Sequence, residues 1–305
     1  MSVTIVAAEA EMRLDWLDLT EAFEAGHRRP RAEIGDTFLY RGGDTLLSRS
    51  AWIDGMGALV KTATIHPGNA RLGLPTINGG VSLFSDRDGR LEAILDFHLV
   101  TKWKTAGDSL LAARKLARPD AREILIIGAG TVARSLREAY AAAFPRARFS
   151  VWNRSPEGAR RLAAIFPDTD AVDNLPRAVE EADIVATATM ARTPVLRGEW
   201  LRPGQHIDLI GAYRPDMREA DDAVLERGRL FVDARHTTLG HIGEVQIPLD
   251  AGVIGEGDIV ADYYDLAGGA FERESEEEIT VFKNGGGAHL DLMCARYILD
   301  TVRHG

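Results

Sequence analysis

With a single cysteine, Cys294, in 305 residues, the chain has no partner for an internal disulfide. That cysteine falls in an apolar helical pattern, which reads as a core position rather than a nucleophile. No apolar run approaches the length of a membrane span. The opening Met-Ser-Val-Thr-Ile-Val is not followed by a signal-peptide pattern. No membrane contact and a reducing, cytoplasmic setting are therefore expected. Basic charge is also short: 36 Lys and Arg face 46 Asp and Glu, a net charge of −10, which argues against a general nucleic-acid binder. There is no internal repeat and no low-complexity segment, and no metal site is expected. What is present is 45% hydrophobic and 27% charged residues, enough for a packed core in one large domain or two ordinary ones.

The two halves of the chain read differently. From Phe38 to Asp96 come short strands with turns between them, among them 58–64, 81–84 and 91–95, with Ser85-Asp-Arg-Asp-Gly89 as a hairpin turn. Leu99, Trp103, Ala106, Leu110, Ala113 and Ala117 then recur at helical spacing, and Arg118-Pro119-Asp120 ends that helix at a domain junction. Beyond it, strands (123–127, 148–152, 183–188, 207–210, 230–232) alternate with helices (131–143, 156–165, 175–181, 222–227), the pattern of a parallel sheet covered on both faces. A strand near 279–282 and a helix over 290–302 finish the chain. The expected architecture is α/β: a Rossmann doubly wound parallel sheet over 119–289, and an α+β domain of 1–118 closed by 290–305. The first thirty residues carry little chemical signal.

The sharpest motif is Ile124-Leu-Ile-Ile-Gly128-Ala-Gly130-Thr131-Val132-Ala133. An apolar strand runs into a tight glycine turn and straight into a helix, which is what a dinucleotide pyrophosphate needs. Gly128 permits the turn, Gly130 lets backbone approach the phosphates, and the helix start offers N–H groups at Thr131 and Val132. The same turn also joins strands to helices in proteins that bind no nucleotide. After the second strand of this half, Asn153 and Arg154 stand where an NAD-selective fold carries an acidic residue. No carboxylate there repels a 2′-phosphate, and a guanidinium pairs with one, so NADPH is expected over NADH. Strand ends Thr187-Ala-Thr189 and Gly211-Ala-Tyr213 are candidates for the nicotinamide region, or else plain turn chemistry.

Outside that half, Lys61 interrupts an otherwise apolar strand, and alternation alone allows it either a solvent face or a site. Lys104 and Asp108 lie four apart on a helix, either a solvated ion pair or part of a site. His66-Pro-Gly-Asn69 follows the Lys61 strand. With Leu74-Pro-Thr-Ile-Asn-Gly-Gly80, Thr101-Lys-Trp-Lys-Thr-Ala106, the glycine turn, Trp152-Asn-Arg154, Gly211-Ala-Tyr-Arg-Pro-Asp-Met-Arg-Glu219 and Phe282-Lys-Asn-Gly285, these stretches resemble the ornithine cyclodeaminase/mu-crystallin family over nearly the whole chain.

The resemblance implies a Rossmann domain, a second domain that binds substrate and makes a homodimer, substrate contacts at Lys61 and Lys104, and cofactor contacts at Thr105 and Asn284. Cyclodeaminases carry an aspartate where this chain has Tyr213; Asp216 lies beyond the proline and is not its equivalent. Gly-Ala-Tyr together with Trp-Lys-Thr-Ala resembles the Δ1-pyrroline-2-carboxylate (ketimine) reductase subgroup, which makes L-proline, also from 3-hydroxyproline breakdown, and often accepts the six-membered Δ1-piperideine-2-carboxylate. Such a substrate is a planar imine with one carboxylate. Arg49, Lys61 and Lys104 supply cations for it, Lys61 is the candidate to serve the ring nitrogen, and His66 and Asp108 are either proton relays or structural. The alternatives are an ornithine cyclodeaminase, an alanine dehydrogenase-like enzyme, or a crystallin-like binding protein.

Overall fold

The computed structural model describes residues 3–304. In chain order the regular elements are β1 (Thr4–Val6), α1 (Trp16–His27), β2 (Glu33–Arg41), β3 (Asp44–Ile53), β4 (Gly57–Ile65), β5 (Ile77–Phe84), β6 (Leu91–Asp96) and α2 (Phe97–Leu116). Then follow β7 (Glu123–Ile127), α3 (Thr131–Ala143), β8 (Arg148–Trp152), α4 (Pro156–Ala163), β9 (Thr169–Ala171), α5 (Leu175–Glu181), β10 (Ile184–Thr187) and β11 (His206–Leu209). The last are α6 (Asp222–Arg227), β12 (Arg229–Val232), α7 (Arg235–Thr238), α8 (Gly243–Asp250), β13 (Ile259–Ala261), β14 (Thr280–Lys283) and α9 (Ala288–His304). Two compact units result: residues up to Lys104 with those from Gly287 onward, and Thr105–Gly286. The first unit ends inside α2, earlier than the Arg118-Pro119-Asp120 turn where the sequence suggests a junction.

In the first unit six strands lie in the order β1-β6-β5-β4-β3-β2, antiparallel except for β1 on β6. Strand alternation sorts the side chains: Leu59, Lys61 and Ala63 of β4 point to the buried face with Ala51, Ile53, Val81, Leu83, Ala93 and Leu95. Helix α9 covers that face and packs on α1. The α1 helix stands in the quiet N-terminal stretch. Asp15 caps it, accepting from the Leu17 and Asp18 N–H groups at 2.7 and 3.1 Å, and Trp16, Leu19 and Phe23 form its buried stripe. The opposite face of the sheet is left open by the described residues, with Ile5, Leu39, Leu46, Trp52 and Ile94 exposed.

The second unit is an eight-stranded sheet in the order β13-β12-β14-β11-β10-β7-β8-β9, every pair parallel. Fully buried runs such as Ile124–Ile127 and Ile184–Thr187 account for this, since a covered parallel strand has no polar face to show. From β9 to β11 the order is that of a Rossmann fold, and β14 then slots between β11 and β12. The chain reverses its direction of growth between β7 and β10. Their carboxyl ends therefore flank the crevice where open α/β sheets take ligands. The strand expected over 183–188 is shorter, because Asp183 turns its carboxylate to the N–H groups of Arg122 and Glu123 and to the Arg118 and Arg202 guanidiniums.

Candidate functional site

At the end of β7, Gly128 has a φ of 122°, and a Cβ there would sit 2.5 Å from the Ala188 carbonyl oxygen. Only glycine fits on both counts. Gly130 is different. It caps α3 at an ordinary φ of −88°, and a Cβ there would meet nothing within 4 Å. Protein packing does not require this glycine. It leaves open space in front of a helix start with no side-chain cap, beside exposed Thr131 and Val132. Unpartnered N–H groups facing a clear cradle suit a pyrophosphate, so the residues fit a dinucleotide.

Beyond β8, the Asn153 amide donates to the Ser155 carbonyl at 2.9 Å and lies against Gly158, where a Cβ would come within 2.6 Å of it. Arg154 is exposed. Asn284 is buried, and its amide donates to the Thr105 carbonyl at 3.1 Å and the Ser109 hydroxyl at 2.9 Å, so the structure joins the two residues that the resemblance paired. Thr187 is fully buried with its hydroxyl turned to Glu219 at 2.8 Å; it lies beneath the crevice rather than in it. Thr189 is partly exposed at the crevice.

Tyr213 is 57% exposed on the loop after β11. Asp216, the nearest carboxylate on that loop, is occupied: Arg214 grips it at 2.9 and 2.8 Å and Arg192 adds a contact at 3.3 Å. The loop thus offers no unoccupied aspartate for the cyclodeaminase role.

The first unit carries a separate cluster. Arg49 on β3 is the cross-strand partner of Lys61 on β4. The Lys61 ammonium donates to Asp291 of α9 at 2.8 Å, and an Arg49 guanidinium nitrogen stands 3.8 Å from the other Asp291 oxygen. Arg49 also pairs with Asp36 at 2.8 Å. Lys61 and Lys104 are each 6% exposed, and Asp291 is fully buried. The solvated ion pair allowed for Lys104 and Asp108 is ruled out, because Asp108 is fully buried too. Burial pushes the Lys61 ammonium down from its ordinary value; Asp291 opposes this, while Lys104 and Arg49 add to it, and the net shift is downward. Burial acts to raise the Asp291 carboxyl, but Lys61, Lys104 and Arg49 together hold it below the usual carboxylate range. Lys61, Lys104 and Arg49 all act on one buried carboxylate, a cationic lining that suits a substrate carboxylate.

His66 and Asn69 are spent elsewhere. The His66 ring meets Asp44 at 3.2 Å, and the Asn69 amide donates to the Pro75 carbonyl at 2.9 Å. Among the described residues neither bonds to Lys61, Lys104 or Asp291. Sequence reasoning does not single out Asp291, although a signal is there: it shares an apolar helical stripe with Cys294, Ala295 and Ile298, all buried. Burial raises the Cys294 thiol well above its ordinary range, so it is an inert core group.

The ornithine cyclodeaminase/mu-crystallin family model matches residues 53–305, and the chain belongs to that family. Within it, the chain is 55% identical over 296 residues to the Delta(1)-pyrroline-2-carboxylate reductase of Paracoccus denitrificans, covering 95% of this chain and 94% of that one. Among solved structures it is similar to Thermococcus litoralis Delta(1)-pyrroline-2-carboxylate reductase in complex with NADH and L-proline, with a TM-score of 0.91, 27% identity, and coverage of 99% and 98%. An archaeal alanine dehydrogenase dimer with bound NAD gives 0.90 and 28%, covering 99% and 97%.

Proposed function

We propose that this chain reduces the cyclic ketimine Δ1-pyrroline-2-carboxylate to L-proline, consuming NADPH or NADH. The observation that carries this reading is the 55% identity, across 95% of the chain, to a Paracoccus reductase of that name. The geometry supports it. A nicotinamide cofactor, when bound, would supply the hydride for C2 of the imine. Lys104 and Arg49 hold the substrate carboxylate by charge-assisted hydrogen bonds. The Lys61 ammonium, lowered by burial and by its cationic neighbours, holds a proton at Nζ for the ring nitrogen while Asp291 fixes its position. Tyr213 stands where a cyclodeaminase would have its aspartate, and Asp216 is taken up by Arg214 and Arg192, so the cofactor is a consumed donor. Six-membered Δ1-piperideine-2-carboxylate presents the same carboxylate and imine and is a second substrate, giving L-pipecolate.

Arg154 and the absence of an acidic neighbour at Asn153 favour NADPH. Arg154→Asp is expected to lower the NADPH-to-NADH ratio of kcat/KM about tenfold; an unchanged ratio removes Arg154 from the ribose pocket. The open apolar sheet face supports a homodimer, which light scattering of the purified protein checks. No described helix is long and apolar enough to cross a membrane; the proposed setting is the cytoplasm, in hydroxyproline degradation.

One paired assay decides the reaction. Oxidation of NADPH by Δ1-pyrroline-2-carboxylate supports the reductase. Ammonia release from L-ornithine without net cofactor consumption would instead establish a cyclodeaminase, and neither signal would leave a binding protein.

A further inference from the structure

Inside the second unit, Glu219 is fully buried, yet its carboxylate is saturated with donors. One oxygen, Oε1, accepts from the Thr189 N–H and the Thr189 hydroxyl, both at 2.7 Å. The other, Oε2, accepts from the Thr187 hydroxyl at 2.8 Å and the Gly211 N–H at 2.6 Å. The donors come from two segments, the end of β10 with the residues after it, and the one following β11. Gly211 is confined as well: a Cβ there would lie 1.9 Å from the Thr189 carbonyl oxygen and 2.6 Å from Glu219 itself. The Glu219 and Ala220 N–H groups donate in turn to Glu244 of α8, at 2.7 and 2.9 Å. One residue before Thr189, the Ala188 carbonyl lies against Gly128 of the glycine turn.

We propose that Glu219 is a positioning residue for the cofactor, clamping the two strand-end loops against each other and so fixing the crevice in which the nicotinamide end lies. This rests on the dinucleotide-binding reading of the second unit. The clamp needs a carboxylate. All four partners are donors, and an amide at this position would turn its NH2 toward a backbone N–H. The clamp also sets the polarity of Thr189. With its proton given to Glu219 and one lone pair facing the Ala191 N–H at 3.3 Å, the hydroxyl can only accept a hydrogen bond from a ligand. Thr187 is completely buried, and its hydroxyl acts on this carboxylate at 2.8 Å.

The test is titration of the purified protein with NADPH, followed by nicotinamide fluorescence, alongside circular dichroism and steady-state kinetics. Glu219→Gln is expected to weaken the NADPH Kd by about tenfold or more and to lower kcat, with the imine KM moving far less. Thr187→Val removes one donor without changing shape and is expected to weaken the Kd about threefold, whereas Thr187→Ser retains the wild-type Kd. A folded Glu219→Gln protein with the wild-type Kd and kcat overturns the proposal. Should that variant fail to fold, Thr187→Val decides: an unchanged Kd overturns it equally. A wild-type protein that binds neither NADPH nor NADH would instead overturn the dinucleotide reading.

Discussion

Each unit buries a charge cluster, and the two are opposites. Around Lys61 in the first unit, three cations surround one carboxylate, Asp291. In the second, four carboxylates, Glu244, Glu219, Asp233 and Asp208, act on one ammonium, Lys283. The acidic cluster is closed: Glu219 and Glu244 are taken up by backbone N–H groups and threonine hydroxyls, and Lys283 donates to the Leu209 carbonyl at 2.8 Å. Its charges serve the scaffold. The cationic cluster has the opposite sign: Lys61, Lys104 and Arg49 act on Asp291, Arg49 reaches Asp36 as well, and the lining suits an anionic substrate. Buried carboxylates taken up by the protein's own donors hold structure, whereas a buried cationic lining suits an anionic ligand.

The comparison breaks most visibly at Asp291. Asp291→Ala leaves Lys61, Lys104 and Arg49 without their common counter-charge, and is expected to cost about 3–5 kcal/mol, read as a large fall in Tm. An unchanged Tm would show that the cationic cluster does not depend on it. Lys104→Ala acts differently. It removes a charge that repels Lys61 and attracts Asp291, so the Tm should fall far less than in Asp291→Ala. The imine KM should rise about 10- to 100-fold, as expected for losing a charge-assisted contact to the substrate carboxylate. A wild-type KM would take Lys104 out of the site.

The smallest effect belongs to the acidic cluster and appears as a pH dependence. Burial, aided by Glu219, raises the Glu244 carboxyl from 4.5 to about 7, with Lys283 opposing. Between those values the folded chain keeps a proton that the unfolded chain has lost. This contribution to stability is full below about pH 4.5, declines as pH rises, and is gone above about 7. Glu244→Gln should flatten the fall in Tm across that window and leave the imine KM untouched. An identical Tm slope in both proteins would contradict the raised carboxyl.

Much of the second unit is legible in the order of its residues. The 131–143 and 175–181 helices and the 123–127 strand agree with α3, α5 and β7 to the residue, because each pairs a clear period with a clear stop: glycine before α3, Asn174 and a first-turn proline at α5. The first unit is harder to read. β2 and β3 have no individual outline in the sequence, since β2 is an exposed edge strand without a buried face to print alternation. The α1 helix escapes notice despite its Asp15 cap, because it stands in a stretch with no chemical motif. In the site, the glycine turn and the family's lysines are readable. Asp291 and Glu219 are not, because each acquires its meaning from partners on other elements.

By itself, the sequence determined the alternating parallel half, the place of the dinucleotide turn and the membership of the family, all of which rest on local order and spacing. Tertiary structure decided the rest. It turned Lys61 inward onto Asp291, 230 residues away. It spent Asp216 on two arginines, and it closed four donors over Glu219. The physical reason is the same each time. A side chain's charge state and free lone pairs depend on what is packed against it, and the packing partners come from distant parts of the chain.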